Sequence, residues 1–210
     1  MSPVDVALTF DTEHPDGPNC PPHGSERILA ALAEAQVPAS FFLQGRWASA
    51  YPDLARRIAR DGHLIGNHSY AHANLTRLTP AGLAEDVCAA EEAIRQSTGV
   101  DPRPWFRCPY GTHSHSTELA PTLRSLGYHD AHWNVTPEDW DSDLSAAELT
   151  ARVVEAVSGR DDAAVVLLHS WPGVVPDALP GIIRSLRGAG ARFTTVAGLS
   201  RADSWLRSTC

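Results

Sequence analysis

Ala163-Ala164-Val165-Val166-Leu167-Leu168-His169 is an unbroken run of six apolar residues closed by an imidazole. A short apolar run bounded by polar segments reads as a buried strand. Val4-Asp5-Val6-Ala7-Leu8-Thr9-Phe10 reads the same way and feeds a polar, Pro/Gly-dense stretch from Asp11 to Gly24. Between these two strands the pattern alternates. Ser25 caps a helix from Glu26 to Gln36, followed by a strand Ala39–Leu43, a helix Ala48–Arg60 and a strand Gly62–Gly66. Thr79-Pro80 opens a long helix running to about Ser97, with a proline where the first turn needs no N–H. A strand near Trp105-Phe106, a helix from about Ser116 to Leu126, a strand His129–Trp133 and a helix Ser145–Val157 lead to the apolar run. A helix around Ala178 to Arg187 and a strand Arg192–Thr195 follow it. Alternation at this spacing predicts an α/β fold of parallel strands joined by crossover helices. About seven such units predict a sheet closed into a barrel rather than left open, with residues just past the C-terminal strand ends converging on one mouth.

Composition narrows the function. A chain of 210 residues with 43% hydrophobic content fills one sizeable core, so a single domain over residues 1–210 is expected. The net charge of −8 argues against a nucleic-acid surface. All 17 basic residues are arginine, which points to a GC-rich coding sequence rather than to a function. Cys20, Cys88, Cys108 and Cys210 are too scattered for a disulfide framework, and no CxxC pair suggests a thiolate metal site. No apolar leader precedes the first strand and no 18 continuous apolar residues occur, so no membrane span is expected. The expected location is cytoplasmic as written, or secreted if an export signal has been trimmed away.

The strand ends carry the chemistry. They supply Asp11 and Glu13, then His68 and His72, Arg107, Glu138-Asp139-Trp140, and His169. In so alanine-rich a chain, five polar strand ends favour a metal site over chance. Were Gly66-Asn67-His68-Ser69-Tyr70-Ala71-His72 helical, its two imidazoles would leave one face on adjacent turns. Such a pair opens a Zn²⁺-like site that needs a third protein ligand and a position free for water. Asp11 and Glu13 point to the same side of an extended segment. Glu13 is assigned as the third ligand and Asp11 as the base, the reverse also being open, with His14 and Asp16 as nearby spares. His169 is read as a general acid, and Arg107, a permanent cation, as the group that holds Asp11 ionised. His113 and His115 are read as solvated.

In order along the chain, these segments resemble the NodB-like polysaccharide deacetylases, carbohydrate esterase family 4. Thr9-Phe10-Asp11-Thr12-Glu13 stands where the family has a TFDD-type turn. His68-Ser69-Tyr70-Ala71-His72 matches its histidine pair, and Arg107-Cys108-Pro109-Tyr110-Gly111 its R-x-P-Y-G turn. Asp139-Trp140 matches its D-W pair, and Leu167-Leu168-His169 its L-L-H ending. The resemblance implies a distorted (β/α) barrel of the NodB homology type, one divalent metal, often zinc, and hydrolysis of an acetyl group from a sugar amine or hydroxyl. It casts Asp11 as base, His68 and His72 as ligands, His169 as acid and Arg107 as the residue orienting the base. The backbone N–H of Tyr110 would hold the oxyanion, and Trp140 and Leu167 would line the acyl pocket. Two departures stand out. The family's usual second aspartate is Thr12 here, which leaves Glu13 or Asp16 as third ligand. Thr136 stands where many members carry the aspartate three residues before the D-W pair, so Glu138 or Asp139 would have to tune His169. The expected partner is an acetylated sugar polymer or oligosaccharide. The rivals are a small N-acyl compound, amide or imide, and an idle carbohydrate-binding relative.

Overall fold

The computed structural model describes residues 4–14, 23–112 and 119–199. The readings made of Asp16, Cys20, His113, His115, Ser116 and Cys210 fall outside the described residues. The strands are β1 (Asp5–Thr12), β2 (Ser40–Leu43), β3 (Leu64–Asn67), β4 (Trp105–Phe106), β5 (His129–Asp130), β6 (Ala164–His169) and β7 (Arg192–Thr194). They form one sheet in the order β5-β4-β3-β2-β1-β6, with β7 also paired to β1. The pairs β1–β6, β1–β7, β3–β4 and β4–β5 are parallel, as the strand-helix alternation predicts. The helices are α1 (Gly24–Ala35), α2 (Gly45–Ala50), α3 (Pro52–Arg60), α4 (Pro80–Thr98), α5 (Leu119–Ser125), α6 (Ala146–Ser158), α7 (Val174–Gly188) and α8 (Val196–Leu199). No helix among the described residues is long and apolar enough to cross a membrane.

The chain divides into two compact units that interleave along the sequence. Among the described residues, one unit holds 4–11, 23–40 and 133–199, and the other holds 12–14, 41–112 and 119–132.

In the first unit β1 lies beside β6 with Val6 opposite Ala164 and Asp11 opposite His169. Val6, Ala7, Leu8 and Phe10 are fully buried, as are Ala164, Val165, Val166 and Leu168, so neither strand alternates. Thr9 is tolerated among them because its hydroxyl donates to Val166 O at 2.7 Å. Helix α1 begins at Gly24 behind His23, which makes no side-chain cap, and Ser25 is a buried first-turn residue rather than the cap. Helix α6 carries a capping box between Ser145 and Glu148. Helix α7 starts at Val174, four residues before the expected Ala178. Pro176 sits in its first turn, where the missing N–H leaves no bond unmade.

In the second unit the expected helix Ala48–Arg60 is two helices, α2 and α3, broken at Tyr51 (φ −127°, ψ 60°). Pro52 is the cause, since its ring drives the preceding residue out of the helical region. Strand β5 ends at Asp130 and does not continue to Trp133. Leu75, Leu83, Val87, Phe106, Leu119, Leu123 and Tyr128 form the buried cluster that α4 and α5 cover. Two glycines set close approaches. A Cβ on Gly45 would lie 2.8 Å from the Cα of Ala90, so only glycine lets α2 reach α4 there. A Cβ on Gly66 would lie 2.6 and 2.7 Å from two ring atoms of Phe42 and 3.1 Å from Trp105 O.

The Phe42 ring cannot simply swing aside, because the Arg107 guanidinium lies over it, 4.0 Å from its centroid. Gly66→Ala therefore overpacks a full core and should lower stability by about 1–3 kcal/mol, read as a lower urea midpoint at unchanged slope. A midpoint equal to that of the parent protein would refute this account of Gly66.

Candidate active site

The residues after β3 do not form a helix. Ser69 (φ 61°) and His72 (φ 55°) are left-handed, so the two imidazoles meet by a route other than adjacent helical turns. Hydrogen bonds hold this backbone where it would not settle unaided. Asn67 Oδ1 accepts from Ser69 N at 2.9 Å, and Ser69 Oγ accepts from His72 N at 2.9 Å. From α4, the Asp86 carboxylate accepts from Tyr70 N at 2.7 Å and Ala71 N at 3.2 Å. From the opposite side, Gly45 N and Arg46 N donate to the carbonyls of Ser69 and Tyr70. Asn67 is fully buried, and its amide nitrogen donates to Val87 O and to Tyr128 Oη. Tyr128 in turn donates to Glu91 at 2.9 Å; burial first, and then that carboxylate, push its hydroxyl pKa up, so it stays a donor. None of these supports was read from the sequence.

Glu13, His68 and His72 come together. Each is buried, and one ligand atom from each lies within 4.8 Å of the others. Glu13 Oε2 faces His68 Nε2 at 3.2 Å and meets His72 Nε2 as well. His68 Nδ1 donates to Arg107 O at 2.8 Å, which fixes the tautomer and leaves the Nε2 lone pair turned to Glu13. Burial pushes the His72 pKa down and the Glu13 contact only partly restores it, so this ring too favours the neutral, ligating form. For Glu13, burial works to raise the carboxyl pKa, but the close rings of His14, His68 and His72 outweigh it and hold the group ionised. Two neutral imidazoles and one carboxylate, all buried and convergent, are a donor set that fits a divalent cation of the zinc type.

Arg107 is fully buried, and its Nε donates to Ala131 O at 2.8 Å. Beside it, Cys108 N donates to Asp130 at 3.1 Å, and burial, with Asp130 adding to it, pushes the Cys108 thiol well up, which makes it inert. Tyr110 is left-handed (φ 59°, ψ 18°) and 70% exposed, with its ring edge-on to His72 at 4.6 Å between centroids.

In the first unit, His169 ends β6 and is tied to one carboxylate at two points. Asp139 Oδ2 accepts from His169 N at 2.6 Å, and Asp139 Oδ1 contacts His169 Nδ1 at 2.8 Å. The proton on Nδ1 is thereby set, and Nε2 is the atom left for chemistry. Glu138, the other candidate for this role, is left-handed (φ 59°) and contacts Arg152 at 3.4 Å instead. Trp140, 45% exposed, stands edge-on to the His169 ring at 5.5 Å, and Trp171, not anticipated from the sequence, lies at 5.6 Å. Leu167 is buried, opposite Thr9 of β1. Asp11, at the end of β1 opposite His169, is buried, and its carbonyl accepts from Ser170 N at 3.0 Å.

Comparison with known proteins identifies the family. The sequence model of the polysaccharide deacetylase family matches residues 1–131. A peptidoglycan-N-acetylglucosamine deacetylase of Bacillus cereus is 34% identical over 200 residues, covering 93% of this chain and 68% of the relative. A chitooligosaccharide deacetylase of Bradyrhizobium is 34% identical over 197 residues, covering 93% and 81%. A family 4 carbohydrate esterase of Streptomyces lividans, solved in complex with acetate, superposes with a TM-score of 0.78 at 28% identity over 90% of this chain and 91% of that one. The expected fold class, a distorted (β/α) barrel, therefore holds. On the matched motifs, the likeness in sequence and the likeness in fold, the chain belongs to the polysaccharide deacetylase family, the NodB-like carbohydrate esterases of family 4.

Proposed function

We propose that the chain is a metal-dependent hydrolase that removes the acetyl group from the amino sugars of a polymer or oligosaccharide. The observation that carries the reading is the buried Glu13-His68-His72 cluster in a chain whose relatives deacetylate peptidoglycan and chitooligosaccharides. Glu13, His68 and His72 would hold the cation, zinc in our reading, whose Lewis acidity serves both the water and the acyl carbonyl when it is bound.

The remaining steps belong to side chains. Asp11 takes the proton of the attacking water, and Arg107 orients it. The backbone N–H of Tyr110 donates to the oxygen on which negative charge develops, a contribution usually worth about 10²–10³ in rate. An amine leaves poorly unless protonated. His169 supplies that proton from Nε2, while Asp139 at Nδ1 stabilises the charged ring before transfer. Trp140 and Leu167 wall the acyl methyl, which limits the group removed to a small one.

The roles separate experimentally. Glu13→Ala should lose the metal, measured by elemental analysis of purified protein, whereas Asp11→Asn should keep it and lose about 10²–10⁴ in kcat. Equal metal in the Glu13 variant would overturn the ligand assignment. Asp139→Asn should lower kcat by about 10²–10⁴ with little change in KM, because the wrong His169 tautomer is then allowed; a KM effect alone would argue against the role of Asp139. Chelation should abolish acetate release and zinc should restore it. Acetate should be released from acetylated chitooligosaccharides or peptidoglycan fragments ahead of acetylxylan and small N-acetyl compounds. Release from the small compounds alone would replace the sugar reading with a small-molecule amidohydrolase, and no release from any of them by metal-loaded protein would favour an idle relative.

A further inference from the structure

The two oxygens of Glu13 have different neighbours. Oε2 faces the Nε2 atoms of His68 and His72, whereas Oε1 faces His14 Nε2 at 3.1 Å. His14 is itself held in place from two sides. Its backbone, left-handed at φ 55°, donates to the side-chain oxygen of buried Gln44 at 3.1 Å. Its ring stands edge-on to His72, 4.9 Å between centroids and 68° between planes.

The carboxylate is a glutamate's, with one more rotatable bond than an aspartate's, hence more freedom to lose when it binds a cation. A donor fixed on Oε1 removes that freedom and leaves Oε2 as the oxygen presented to the histidine pair. We propose that His14 is a positioning residue for Glu13. It donates from Nε2 to Oε1 and so raises metal affinity without binding the metal itself. This rests on the metal-centre reading above and deepens it.

Zinc dissociation constants for H14A, H14Q, H68A and E13A, measured by competition with a chromophoric chelator, test the proposal alongside the visible spectra of the cobalt-substituted proteins. H14A should bind zinc about 10–100-fold more weakly than the parent, the usual cost of losing an outer partner of a ligand. H14Q, whose amide nitrogen reaches the same place, should recover most of that loss. The cobalt spectra of both should keep the parent band positions and intensities, while H68A alters them. The metal-free H14A protein should still unfold cooperatively, though at a lower temperature than the metal-free parent, because the buried carboxylate loses one of the rings that offset its burial. Parent-like zinc affinity in H14A, no rescue by glutamine, loss of cooperative unfolding in metal-free H14A, or an altered cobalt spectrum in H14A, which would make His14 a direct ligand, would each overturn the proposal. If E13A and H68A also keep parent affinity, the metal centre itself is wrong. If they lose it and H14A does not, only the role of His14 falls.

Discussion

A carboxylate buried to 4% exposure against two imidazoles is the constraint to which the second unit is built. Removing an ionised carboxylate from water costs several kcal/mol unless hydrogen bonds or opposite charge offset it. In Glu13 the offset comes from three ring nitrogens, and each ring must be held at a fixed place for its contribution to count. That requirement explains why so much polar structure gathers on a seven-residue segment. Asn67, Ser69 and Asp86 together accept four backbone N–H groups between residues 69 and 72. Without those acceptors, two left-handed non-glycine residues in so short a loop would relax, and the imidazoles would part.

The short strands of this unit convert their register into the same service. Asn67 pairs with Phe106 and Phe106 with Asp130, so the residues just beyond the three strands, His68, Arg107 and Ala131, follow one another sideways. Hydrogen bonds run along that row, from His68 Nδ1 to Arg107 O and from Arg107 Nε to Ala131 O. Strand pairing thereby fixes a ring tautomer. Arg107 serves twice, with its carbonyl setting the tautomer of His68 and its guanidinium packed over Phe42, whose ring in turn fills the space that Gly66 leaves.

Apolar runs and polar strand ends were legible in the sequence because both follow from local composition: a buried parallel strand must be apolar throughout, and its exit is where side chains regain partners. The histidine spacing was legible but its conformation was not. His68 and His72 are four apart in a loop with two left-handed residues, and part of what holds that path, Asp86, arrives from a helix eighteen residues further along than His68. The break at Tyr51 could have been read from Pro52, whose effect on the residue before it is local. Glu138 and Asp139 could not be told apart by position. The left-handed turn at Glu138 separates them, leaving Asp139 to take both the ring and the backbone of His169.

The changed first motif shows how a strand-exit site can absorb substitution. Strand β1 ends at Thr12, so the residue after it is free of the sheet's register and can depart from the extended path, as the left-handed His14 does immediately afterwards. A carboxylate at position 13 therefore need not disturb the pairing that carries Asp11 opposite His169. The backbone turn that follows also brings the next residue's imidazole onto the carboxylate's second oxygen, so one local departure from the strand both places the side chain and restrains it.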